Sequence, residues 1–160
     1  MRKSFITAIF LLLFSVNAFA AGSCTQSLSS FPDTMYPPAM YVLKFVCTGD
    51  AVNGSIPDTP ITATTANSLY GMYFYTAVAY PTSGGETPDA ADVTVTMQGR
   101  DLLGGKGVNL IHATATQSTA PYNTFSSVYE YTAIIDTLTV AVANQATASA
   151  NYTIDLVFAR

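Results

Sequence analysis

The stretch 137-TLTVAVANQATASANYTIDLVF-158 decides the fold. Its two arms, 137–143 and 152–158, alternate apolar with small or polar residues at the period of an extended strand, not of a helix. Leu138, Val140 and Val142 fall on one side of the first arm, and Ile154, Leu156 and Phe158 on one side of the second. The polar residues 144–150 between them read as the turn of a C-terminal hairpin whose arms share a core face. A slip of one residue would turn Asp155 into that core, so the register is well specified.

Residues 92–98 alternate in the same way, with Val93, Val95 and Met97 inward and Thr94, Thr96 and Gln98 outward, as in a half-buried sandwich strand. Residues 69–80 form the longest strand candidate, with Met72, Phe74, Thr76 and Val78 on one face and Tyr73, Tyr75, Ala77 and Ala79 on the other. Both faces are apolar or aromatic, which predicts a central strand covered on both sides. Residues 41–48 are β-branched and aromatic; Gly49 and Asp50 end the run, and the turn dipeptide Asn53-Gly54 follows. Pro57 and Pro60 mark a loop or edge. Residues 81–88 read as a loop, the glycines 104, 105 and 107 as a flexible crossing, and 108–116 and 129–135 as weaker strands. No apolar stripe at helical period lasts beyond two turns. About seven short strands with turn-rich connections predict an all-β chain: a single β-sandwich of immunoglobulin-like or jelly-roll type.

The chain begins with basic Arg2 and Lys3, an apolar run over 5–14 and the small residues Ala18 and Ala20. This three-part pattern predicts a signal peptide over 1–20, with one mature domain over 21–160 that is exported to the periplasm, the cell surface or the medium. The apolar run is about half what a spanning helix needs, so no membrane span is expected after cleavage. Removing Arg2 and Lys3 with no acid takes the net charge from −4 to −6. Such a surface repels phosphate backbones and argues against nucleic acid as a partner. Cys24 and Cys47 are expected to form a disulfide in an oxidising compartment. A lipid on Cys24, or a reactive or metal-binding thiol pair, is the alternative use of these residues.

Catalytic equipment is not apparent. His112 is the sole histidine, lies in a Thr- and Ala-rich segment, and reads as a strand residue. Gly99, Gly104, Gly105 and Lys106 miss the spacing of a phosphate loop by one position and read as turn formers. Glu86, Asp89, Asp92 and Asp101 lie in or beside loops without the order of a calcium motif. No cofactor, metal or catalytic residue is therefore expected. The distinctive feature is a surplus of tyrosine. Tyr70, Tyr73, Tyr75, Tyr129 and Tyr131 are the candidate interaction surface, because a phenol offers a rigid apolar body with a polar tip. With charge scarce, association costs little desolvation, so a homo-oligomer or another structural protein is the expected partner, and a glycan the alternative.

Residues 92–107, DVTVTMQGRDLLGGKG, together with 137–158, resemble small β-sandwich structural proteins of tailed bacteriophages and prophages. These share a strand, an acidic turn, a DLLGG-like loop and a closing hairpin. The resemblance implies a virion or assembly role and carries over no catalytic residue. The early cysteines in an exported sandwich are also similar to those of chaperone-usher pilus subunits, which implies a fimbrial subunit or surface adhesin as the alternative. A carbohydrate-binding module is the other alternative, on the tyrosines alone.

Overall fold

Paired extended segments make up this computed structural model, which describes residues 21–33 and 36–160. The segment read as an export signal lies outside the described residues. β1 (Ser23–Asp33) and β2 (Tyr36–Thr48) form a long antiparallel pair. On its other side β2 pairs with β12 (Asn151–Ala159), and β12 with β4 (Tyr73–Pro81). Two short strands, β7 (Gln117–Thr119) and β10 (Thr132–Ala133), line the far edge of β4. A second sheet runs in the order β3 (Thr59–Pro60), β11 (Leu138–Ala143), β5 (Asp92–Met97), β6 (Arg100–Asp101). A separate small hairpin joins β8 (Tyr122–Asn123) to β9 (Val128–Tyr129).

The inward residues of the two sheets form one core. Leu43, Phe45, Phe74, Tyr152, Ile154, Leu156 and Phe158 come from the first sheet, and Val93, Val95, Met97, Leu138 and Val140 from the second. The fold is thus all-β and sandwich-like, and β5 alternates as expected, Val93, Val95 and Met97 being buried. Cys24 and Cys47 are bonded to each other across β1 and β2. Pro60 sits in an edge strand, where a missing N–H leaves no ladder bond unmade. Near it, Gln26 of β1 clasps the second sheet: its Nε2 donates to Pro60 O at 3.3 Å, and its Oε1 accepts from Thr62 N at 3.2 Å.

The C-terminal hairpin does not form. β11 pairs with β5 and β3, while β12 pairs with β2 and β4, so the two arms lie in opposite sheets. The connection between them is a bridge across the sandwich, held by Asp89, whose carboxylate accepts from Ala146 N, and by Asn144, whose side chain donates to Asp92. The Gln145 side chain turns inward and is buried. Alternation identified the core face of each arm correctly, but a shared core face is equally served by two strands that face each other and by two that pair.

The partition of 69–80 also changes. Leu69 closes a short helix, α1 (Ala63–Leu69), whose first turn is capped by the Thr62 hydroxyl accepting from Thr65 N. Seven residues make fewer than two turns, too short for a helical period to register. Within β4 the register shifts: Phe158 pairs with Phe74 and Val157 with Thr76, leaving Tyr75 as an extra residue. This β-bulge puts Phe74, Ala77 and Ala79 in the core and leaves Tyr73 and Tyr75 exposed, so β4 is covered on one face only. The expected strand over 108–116 reduces to one bridge between Ile111 and Ala91, and that over 129–135 is split between β9 and β10.

Candidate interaction surface

The five tyrosines are brought together in part. Pairing of β10 with β4, Ala133 opposite Tyr73 and Thr132 opposite Phe74, carries Tyr131 alongside Tyr75. Their rings stack with centroids 4.9 Å apart and planes 20° from parallel. Tyr73, Tyr75 and Tyr131 remain 48%, 46% and 57% exposed. The β10–β4 register makes this contact, and the bulge leaves Tyr75 without a direct partner on the β12 ladder. Hydrogen bonding to the Tyr75 side chain, followed by loss of water and the neighbouring phenol's charge, holds the Tyr131 hydroxyl above the ordinary tyrosine value.

Register continues the apolar surface along the outer side of the first sheet. Tyr73 opposes Ala159, Ala159 opposes Met40, and Met40 opposes Phe31, so one row crosses β4, β12, β2 and β1. In the next row Val157 stands between Thr76 and Val42. Phe31 and Met40 are exposed and were not among the sequence candidates. Phe31 could be anticipated only as an isolated aromatic in a serine-rich stretch, because its row partners come from three other strands.

Tyr129 belongs to a different cluster. It meets Tyr122 edge-on at 5.2 Å across the β8–β9 hairpin, and the Lys106 ammonium lies 4.6 Å from the Tyr122 ring centroid. Gly104, with φ +54°, passes so close to the Tyr122 carbonyl that a β-carbon there would collide with it. At the tip of this hairpin Phe125 is 94% exposed, another residue that sequence reading missed. Asn123 shapes the tip by accepting from Phe125 N and Ser126 N. Tyr70 stands alone at the end of α1, exposed, and outside both clusters' ring contacts.

The loop acids serve the backbone. Asp101 accepts from Leu103 N and Gly105 N, and Asp92 from Asn109 N. His112 Nδ1 accepts from Thr114 N and Ala115 N, so the imidazole shapes a turn, and the residue lies outside any named strand. Among the described residues no three His, Cys, Asp or Glu side chains cluster as metal ligands, no cavity is enclosed, and no helix is long and apolar enough to cross a membrane. Comparison with protein families, curated proteins and solved structures finds no match to this chain.

Proposed function

We propose that this is an exported, non-enzymatic assembly protein that joins itself or a structural partner through the aromatic outer face of its first sheet. The observation that carries the reading is the exposed Tyr75–Tyr131 stack beside Tyr73. Two rings already held in van der Waals contact lose little rotamer freedom when a partner covers them, which is how aromatic anchors contribute to binding. The scarcity of charge supports the same reading, because few ions need desolvation on that face. The Cys24–Cys47 bond suits an oxidising compartment, and the phage-like pattern over 92–107 suits a structural role.

Sedimentation velocity and light scattering on the mature protein test it, with Tyr75→Ser/Tyr131→Ser as the comparison. Self-association or partner binding that the double substitution weakens at least tenfold, with the thermal melt retained, is the expected result. A strictly monomeric protein at high concentration that also binds no structural partner would overturn the proposal. The half-exposed ring faces of the stack favour a second reading, glycan binding by sugar-on-aromatic contact. A glycan array without hits retires that one.

A further inference from the structure

β1 is the longest edge strand among the described residues and pairs there only with β2. Which of its backbone groups are free follows from two observations. Cys24 and Cys47 stand with Cα atoms 4.1 Å apart, the spacing of a non-hydrogen-bonded antiparallel pair. On the other side of β2, Gly49 N donates to Ala150 O, which fixes the same alternation along β2. Ser23, Thr25, Ser27, Ser29 and Phe31 therefore bond to β2, and the N–H and C=O groups of Cys24, Gln26, Leu28 and Ser30 point away from the sheet.

Edges of this length are ordinarily guarded by a charge, a proline, a bulge or a covering segment. From residue 23 to 31, β1 carries neither charge nor proline, and its ladder to β2 is regular until the shift between Phe31 and Asp33. We propose that this edge takes β1 of a second copy, antiparallel about a two-fold axis through Ser27, so that the two first sheets become one continuous sheet. The surface is distinct from the aromatic face and the inference does not rest on it.

Three features select a second copy of the chain. An acidic molecule repels its own copies over most of its surface, and residues 23–31 are a stretch of sheet edge without a carboxylate. The nearest cation in register, Lys44 opposite Ser27, lies one strand in from the edge on β2, so the joined β1 strands themselves bring no like charges together. Centring on Ser27 uses the whole regular stretch. It sets Gln26 opposite Leu28 and Cys24 opposite Ser30 as hydrogen-bonded pairs, and it matches the bulky Phe31 with the small Ser23. Ser27 then meets its own counterpart in a non-hydrogen-bonded pair, with Cα atoms about 4.5 Å apart.

That self-contact makes the inference testable. Under mild oxidation S27C should form a covalent dimer through residue 27, as peptide mapping reads it. S23C should not, because its counterpart lies on the order of 25 Å away along the strand. In parallel, S30P removes a donor that faces the free edge and leaves the β1–β2 ladder intact, so by sedimentation it should turn the dimer into monomer with an unchanged melt. Dimer retained in Tyr75→Ser/Tyr131→Ser and lost in S30P supports the edge contact. Association that survives S30P but is lost in the tyrosine variant overturns it and leaves the aromatic face standing. A wild-type monomer at millimolar concentration, or S23C dimerising as readily as S27C, also overturns it.

Discussion

Cys24 and Cys47 occupy directly opposed positions on β1 and β2, so the disulfide is a rung of the ladder at the outermost strand pair of the first sheet. It closes a loop with a sequence separation of 23 residues. Replacing both cysteines by serine should cost roughly 3 kcal/mol in the chain-entropy description. Denaturant midpoints measure the loss, and amide exchange should show it concentrated in β1.

Leu156 is fully buried and faces the second sheet across the core. Leu156→Ala should cost about 2 to 5 kcal/mol through lost methyl burial and the cavity left behind. Thr139, on the outer side of β11, contributes its backbone carbonyl to the contact with Thr96, and its side chain is only half-buried. Thr139→Ala should therefore stay within about 0.5 kcal/mol in the same thermal melts.

Tyr152 is fully buried, and its hydroxyl has no hydrogen-bond partner among the described residues. Burial first, and the Asp89 charge second, push the phenol well above its ordinary value. The native phenol stays neutral where the unfolded one ionises, so its contribution is intact at neutral pH and is lost as pH rises past about 10. Tyr152→Phe should raise stability by roughly 1 kcal/mol at neutral pH, as expected for removing an unpaired buried polar group. It should also flatten the alkaline fall in melting temperature.

Tyr75 is the extra residue of the β4 bulge, so deleting it should restore a regular ladder in which Phe74 and Thr76 still meet Phe158 and Val157. The shortened chain should fold, with a smaller stability loss than Leu156→Ala, and should lose the association assigned to the aromatic face. A melt below that of Leu156→Ala would show that the bulge supports the core.

Export has its own check. Intact mass from the native host should equal residues 21–160 less two hydrogens, and an acyl mass on Cys24 would instead place the protein on a membrane surface.

The sequence revealed faces better than partners. Val93, Val95, Leu138, Val140, Ile154, Leu156 and Phe158 all point where their alternation says, because burial imposes a period of two on any strand with one wet side. Nothing in that period tells whether β11 and β12 pair or face each other. A bulge is equally invisible locally, since the shift in β4 exists only relative to β12. Of the candidate surface, the residue types were legible and the grouping was not. Tyr75 and Tyr131 meet because β10 docks on β4, a contact between distant parts of the chain, whereas Tyr70 and Tyr129 went elsewhere.

The order of β1, β2 and β12 also determines how this molecule would bear a pull. β1 and β12 both run antiparallel to β2, and Ser23 and Asn151 share the rung of Thr48 at one end, while Phe31 and Ala159 share that of Met40 at the other. Tension entering ahead of β1 and leaving after β12 therefore runs along the strands in opposite directions. The disulfide passes it from β1 to β2 covalently, and the β2–β12 hydrogen bonds, lying across the line of force, are loaded side by side. They must yield together in shear, not open one after another like a zip.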